Sequence, residues 1–204
     1  ILSAGGDWSR VVLLDNDVWP SASRRDLAAI AEERRQDPLD TAYDLLRDAA
    51  DDPGRLMVII HAYTEEQQRL AFSHPLCVPG SDATTLAPDG PLGGSVFHGA
   101  YTWAAWYLRF TVREQQLLGL GEAIRRLTRA PADRLGLRDR GVLRPGAWAD
   151  VAVFDPGAFR ETGTTFEPSS LAVGMDTVLV NGVVTLAGGE ATGERAGRVL
   201  RRAP

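Results

Sequence analysis

The chain has 204 residues, with 22 basic against 27 acidic side chains and a formal net charge of −5. A nucleic-acid-binding protein usually presents a strongly positive face, so this charge balance argues against that class. No apolar run approaches the roughly 18 residues of a membrane-spanning helix, so we expect no membrane segment.

The first part of the chain alternates short apolar runs with amphipathic helices. Residues 11–14 and 56–60 are continuous apolar runs, typical of strands buried on both faces. Between them we predict a helix over 23–36 and its restart at Asp37-Pro38, an N-cap followed by a first-turn proline. Thr64-Glu65-Glu66-Gln67 has the pattern of a capping box that opens the next helix. The alternation predicts a parallel sheet.

A third apolar run, residues 76–78, leads into Gly80-Ser81-Asp82. The carboxyl ends of parallel strands carry the catalytic groups of α/β enzymes. Asp82 is therefore the main catalytic candidate, and a turn-capping aspartate is the alternative. Cys77 is the single cysteine, which excludes an intrachain disulfide and a CxxC zinc site. We interpret it as a buried structural thiol, and we expect a cytoplasmic location from the low cysteine content.

The three histidines lie far apart and have no zinc-ligand spacing in themselves. His61 ends the second predicted strand and is a candidate substrate-binding residue, with a structural role as the alternative. His98 lies in the Gly- and Pro-rich loop 83–99, and loops of this length are often functional. We therefore predict that His98 lines the substrate pocket. His74 precedes a proline, where we expect it to cap helix carbonyls.

The remainder of the chain changes from helical to β-rich character near Arg140. Helices are predicted over 100–117 and 121–128. Four aromatic side chains at helical spacing predict a core or subunit-contact face: Trp103, Trp106, Tyr107 and Phe110. Residues 150–154 alternate in polarity, and Asn181-Gly182 between β-branched runs predicts a hairpin. A complete eight-stranded barrel takes about 250 residues. We therefore expect this chain to be the C-terminal piece of something larger.

Several motifs resemble the amidohydrolase superfamily. They are the stretch 121–128 followed by Ala130-Pro131-Ala132, the stretch 139–146 running into 149–155, and the hairpin at 178–183. Within the superfamily, Thr64-Glu65-Glu66, His74-Pro75-Leu76, Gly80-Ser81-Asp82 and the closing segment 192–201 are similar to N-acyl-D-amino-acid deacylases, the D-aminoacylases.

The resemblance implies an α/β fold: the last βα units of a (β/α)8 TIM-like barrel in residues 1–139, then part of a small β-sandwich-type module in 140–204. It implies a metal-dependent hydrolase that uses zinc to cleave an amide bond in a small N-acyl-D-amino acid. Asp82 would end the eighth strand and act as general acid/base, and it would also contact the metal. A carboxylate there can take a proton from the attacking water and pass it to the leaving nitrogen.

Two departures from the family pattern leave other functions open. The family's principal zinc ligands match no residues here, so an upstream segment or a partner chain would supply them, and this segment alone is expected to be inactive. The family's His-Pro-Arg is replaced by His98-Gly99-Ala100. A cyclic amide or carbamoyl compound is therefore an alternative substrate, and a non-catalytic remnant or interaction domain is an alternative from another class.

Overall fold

The structure is a computed structural model that describes residues 1–83, 87, 89–91 and 99–201. The chain divides into two compact units, Ile1–Gln68 and Arg69–Pro204. In the described ranges, no helix has both the length and the apolar character needed to cross a membrane.

The first unit contains two helices and two short strands. Helix α1 spans Leu27–Arg34 and helix α2 spans Pro38–Asp48. Each begins at an aspartate N-cap, because a carboxylate oxygen can satisfy a free backbone N–H of the first turn. Asp26 is the N-cap of α1, so the helix starts at Leu27 and not at residue 23 as predicted. Asp37 accepts from the N–H of Leu39 at 2.8 Å, which confirms the predicted start of α2.

The two strands of the first unit, β1 at Val11–Leu13 and β2 at Val58–Ile60, pair antiparallel. The prediction of a parallel sheet is therefore wrong for this pair. Arg35, which follows the last residue of α1, has a φ of 53° and turns the chain before α2 begins. Parallel pairing needs a crossover that returns the chain to the same edge, whereas the connection through α1 and α2 brings β2 back antiparallel to β1.

The core of the first unit lies between β1 and the two helices. Its buried apolar side chains come from both kinds of element: Ala4, Val11, Leu13, Ala22, Leu27, Ile30 and Leu45. Their burial on one side of α1 and α2 holds these short elements together, since isolated helices of this length are marginal in water.

Helix α3 spans Glu65–Ser73 and crosses the boundary between the two units, which lies between Gln68 and Arg69. The capping box is confirmed: Thr64 N–H donates to Gln67 Oε1 at 2.9 Å, and Gln67 N–H donates to Thr64 Oγ1 at 3.2 Å. The remaining helices are α4 at Trp103–Leu108, which continues as a π-helix over Arg109–Glu114, α5 at Leu120–Leu127 and α6 at Arg129–Leu135.

The aromatic face predicted on α4 forms part of the core. Tyr107 is 1% exposed, and Trp106 stacks on Phe110 with ring centroids 5.0 Å apart. The ring of Phe72, from α3, contacts the rings of Trp106, Tyr107 and Phe110 in edge-to-face geometry. These contacts bury large apolar surfaces and hold α3 against α4.

The second unit also contains a four-stranded antiparallel sheet in the order β3-β4-β5-β6. The strands are β3 at Val151–Phe154, β4 at Met175–Val180, β5 at Val183–Ala187 and β6 at Glu190–Ala191. Asn181 and Gly182 have φ values of 51° and 83°, as a two-residue hairpin turn requires. The predicted hairpin is confirmed.

The predicted strand at residues 76–78 is wrong, because this segment has no regular secondary structure. A strand needs a neighbouring backbone to pair with, and Pro75 and Pro79 on either side lack the N–H that such pairing uses. The fold is α/β in content. The barrel portion, the sandwich-type module and the predicted boundary near Arg140 stay predictions.

Candidate functional site

Asp82 lies on an exposed loop of the second unit. Its φ is 53°, in the left-handed region that aspartate tolerates better than most residues. In the described part of the chain, no hydrogen bond or ion pair holds its carboxylate. An exposed acid without a partner among the described residues is a candidate functional group.

The loop around Asp82 rests on the start of the following helical segment. Ser81 Oγ accepts a hydrogen bond from the N–H of Ala83 at 3.1 Å. A Cβ placed on Gly99 would lie 4.0 Å from the carbonyl oxygen of Ser81. The backbone that carries Asp82 is therefore close to Gly99, just before α4.

A cleft of about 190 Å³ begins at Gly99. Its lining includes Trp106, the carboxylate-bearing Glu161, and the threonines Thr102 and Thr164. It combines an aromatic surface with polar groups, as small-molecule sites do. Its volume suits a substituent of a substrate better than a whole drug-sized ligand, whose pockets are typically above about 300 Å³.

Glu161, which lines this cleft, is held by an ion pair. Arg109, the first residue of the π-helix, donates from Nε to both carboxylate oxygens of Glu161, at 3.0 and 3.1 Å. Burial raises the pKa of Glu161, but its bonds with Arg109, the backbone N–H of Glu161 and the charges of Arg109 and Arg113 together leave the pKa below its ordinary value. The carboxylate therefore stays charged and paired at neutral pH.

Glu161→Gln is expected to lower the free energy of unfolding at pH 7 by about 1–3 kcal/mol, because it leaves Arg109 partly unpaired. Since the folded-state pKa of Glu161 is lowered, its contribution is present above the unfolded pKa and is lost as pH falls. The difference from wild type should therefore shrink below about pH 4.3. Thermal unfolding at a series of pH values measures both effects.

Glu114→Gln is the matched control for this prediction. Glu114 also pairs with Arg109, but its side chain is 45% exposed against 13% for Glu161. Exposed ion pairs contribute little, so the control should cost less than the Glu161 change. Equal losses from the two variants would contradict the assignment of Glu161 as the principal partner.

The predicted site residues His61 and Asp82 belong to different units, the first and the second. His61 follows β2 in the first unit, where it is exposed and its N–H donates to the carbonyl of Arg10 at 2.9 Å. His98 lies outside the described residues. Their roles beside Asp82 stay predictions.

His74 differs from its predicted role as a cap of helix carbonyls. Its Nδ1 accepts a hydrogen bond from the N–H of Leu76 at 3.2 Å. The carbonyls of Phe72 and His74 instead accept from Arg126 Nη1, at 2.7 and 2.9 Å. Sequence reasoning missed Arg126, because its partners lie more than 50 positions away.

The described residues do not form a metal site by themselves. In the ranges that the structure covers, no group of three or more His, Cys, Asp and Glu side chains is placed to hold a metal ion. A structural zinc site takes four ligands and a catalytic one about three. Asp82 could contribute one ligand to a site completed by other residues.

The chain is similar in sequence to known deacylases. The amidohydrolase family model matches residues 20–186. An N-acyl-D-glutamate deacylase of Alcaligenes xylosoxydans xylosoxydans is 37% identical over 148 residues, which are 71% of this chain and 28% of that protein. A D-aminoacylase of the same organism is 31% identical over 186 residues, 90% of this chain and 35% of that protein.

Solved structures agree with the sequence comparisons. A D-aminoacylase described by its binuclear metal centre superposes with a TM-score of 0.73 at 28% identity, covering 95% of this chain and 38% of that one. An N-acyl-D-glutamate deacylase from Bordetella bronchiseptica, solved with zinc and a phosphonate mimic of the tetrahedral intermediate, gives 0.71 at 32% identity, covering 100% and 40%. The chain thus spans well under half the length of these relatives.

Proposed function

The chain belongs to the amidohydrolase family, and on that premise we propose that it is the C-terminal portion of a zinc-dependent hydrolase of N-acyl-D-amino acids. The observation that carries this proposal is its similarity to deacylases of N-acyl-D-glutamate and N-acyl-D-aspartate. The exposed Asp82, held on a left-handed backbone without a partner among the described residues, supports it. The amide bond is the proposed site of cleavage, with a carboxylate and a free D-amino acid as products.

Asp82 is the proposed general acid/base. Its carboxylate would accept a proton from the water that attacks the amide carbonyl carbon. As the tetrahedral intermediate collapses and the carbon–nitrogen bond breaks, the same group would donate that proton to the leaving nitrogen. The carboxylate must then reach both the oxygen and the nitrogen within hydrogen-bond distance, and its exposed side chain leaves room for a substrate to approach it. His61 and His98 are proposed to contact the substrate.

Zinc is the proposed cofactor because a deacylase of this fold was solved with zinc. The described residues do not make a complete site, so we propose that an upstream segment or a partner chain supplies the other ligands. The same reasoning applies to the architecture: residues 1–139 would complete a TIM-like barrel and 140–204 a small β module. The proposed compartment is the cytoplasm, in keeping with the single cysteine.

The proposal is tested with the full gene product, purified and analysed for zinc by elemental analysis. It should contain one or two zinc ions per chain. It should also release free amino acid from N-acetyl-D-glutamate, N-acetyl-D-aspartate or N-acetyl-D-leucine, and their L-enantiomers serve as controls. A preference for D over L substrates supports the proposal, because only a chiral site distinguishes the two.

Two results would replace the proposal with an alternative. Opening of a cyclic amide such as dihydrouracil, without hydrolysis of N-acyl-D-amino acids, would favour the second substrate class. That class is suggested by Gly99-Ala100 following His98. Absence of zinc after incubation with excess metal, together with no hydrolysis of either substrate class, would favour a non-catalytic remnant.

A further inference from the structure

Arg126 is a buried cation that no step of the proposed reaction uses. Its side chain is 4% exposed, the most buried charged group among the described residues. Its Nη1 donates to the carbonyls of Phe72 and His74 at 2.7 and 2.9 Å, and its Nε donates to Glu122 at 2.7 Å. A buried charge with three short bonds holds its partners firmly, because breaking the set would leave a desolvated charge.

The two carbonyls that Arg126 binds lie at the C-terminal end of α3. The last carbonyls of a helix have no partner within it and need an external donor. His74 carries two further bonds: its carbonyl accepts from the N–H of Cys77 at 3.0 Å, and its Nδ1 accepts from the N–H of Leu76 at 3.2 Å. Arg126 therefore anchors a bonded turn where the chain leaves α3.

The chain runs from this turn to Asp82 without regular secondary structure. Near its far end, Ser81 lies against Gly99. No strand ladder fixes the segment, so its start at this turn and its contact at Ser81 are two of the restraints on its position. We propose that Arg126 is a positioning residue for Asp82. By binding the carbonyls at the end of α3, it fixes the backbone position from which the segment leading to Asp82 begins. This inference rests on the proposed function of Asp82.

Arg125 offers a matched control on the same helix. It binds Glu122 through two bonds, at 2.7 and 2.9 Å, and its side chain is 48% exposed. Its bonds, followed by those of Arg126, lower the pKa of Glu122 to about 2, so the carboxylate is charged throughout any assay range. Arg125 thus shares the acidic partner of Arg126, but among the described residues its side chain bonds only within α5.

The experiment is a double-mutant cycle in the zinc-loaded full gene product. Arg126→Met keeps the volume of the side chain and removes its donors, and it is combined with Asp82→Asn. In the wild-type background we expect kcat to fall by about 10²-fold with KM within about twofold, since misplacing a catalytic group by about 1 Å has that effect. In the Asp82→Asn background, Arg126→Met should reduce kcat by less than about threefold, because the group it positions is already absent.

Arg125→Met should leave kcat within about twofold of wild type, and Arg126→Lys should recover part of the lost rate because its ammonium can still donate to a carbonyl. If Arg126→Met fails to fold, the cycle is run with Arg126→Lys. Equal losses in the two backgrounds would overturn the inference and leave Arg126 a structural residue. Wild-type turnover in Asp82→Asn alone would instead overturn the proposed role of Asp82, and with it any positioning role.

Discussion

Replacing Asp82 with Asn in the full gene product should lower kcat/KM for the amide substrate by about 10³-fold, since a positioned acid/base group contributes about 10²–10⁴-fold. The amide of asparagine can neither accept the proton of the attacking water nor protonate the leaving nitrogen. The loss should be mainly in kcat, because the carboxylate transfers the proton in the transition state and contributes little to binding of the substrate. Steady-state kinetics over a range of substrate concentrations separate the two parameters.

Asn is the correct replacement because the backbone at Asp82 has a φ of 53°. Asparagine tolerates the left-handed region, whereas alanine would add strain and confuse the comparison. The melting temperature should stay within about 1 °C of wild type, since the exposed side chain contributes no bond among the described residues. Asp139→Asn, a second exposed aspartate, should leave both kinetics and stability unchanged. Wild-type turnover in Asp82→Asn would refute the catalytic assignment.

Gly174→Ala should destabilise the second unit by about 3–5 kcal/mol, or prevent it from folding. A Cβ at Gly174 would lie 2.5 Å from the backbone nitrogen of Phe159 and 2.6 Å from its Cα, and backbone atoms cannot turn aside as a side chain can. The carbonyl of Gly174 also accepts from the N–H of Asp155 at 3.0 Å. The substitution therefore pushes apart the segments that lead out of β3 and into β4.

Two causes contribute to this loss: the clash of the new Cβ with the backbone of Phe159 and the left-handed backbone conformation. Gly146→Ala tests the second cause alone. Gly146 has a φ of 83°, close to the 91° of Gly174, but nothing lies within 4 Å of a Cβ placed there. It should cost only the left-handed conformation, about 1–2 kcal/mol. Thermal unfolding of the purified chain should show a fall of about 10–20 °C for Gly174→Ala and a much smaller one for Gly146→Ala. Equal falls would mean that the contact with Phe159 is unimportant.

The sequence predicts local structure correctly where the atoms that determine it lie within a few residues of one another. The Thr64 capping box, the Asp37-Pro38 helix start and the Asn181-Gly182 hairpin all depend on bonds or φ values inside one turn. The family resemblance was also available from the sequence, because motifs spread over the chain identify it together. Asp82 was singled out because it follows the predicted strand at residues 76–78, which the structure does not contain, and its catalytic role stays a prediction.

The errors arose where pairing between distant segments decides the outcome. An apolar run such as residues 76–78 is compatible with a strand, but only a neighbouring backbone can make it one. The direction of β2 relative to β1 depends on how α1 and α2 turn between them, which a hydrophobic pattern does not encode. His74 was expected to cap carbonyls that Arg126 reaches instead.

The sequence by itself determined the family, the starts of α2 and α3 and the hairpin, because each depends on residues that are neighbours along the chain or on a recognisable set of motifs. Only the tertiary structure decided the antiparallel pairing, the Arg109–Glu161 pair beside the cleft, and the anchoring of α3 by Arg126. These join residues 45 to 54 positions apart. Such contacts form because a buried charge or carbonyl needs a hydrogen-bond partner. The folded chain decides which partner lies within reach.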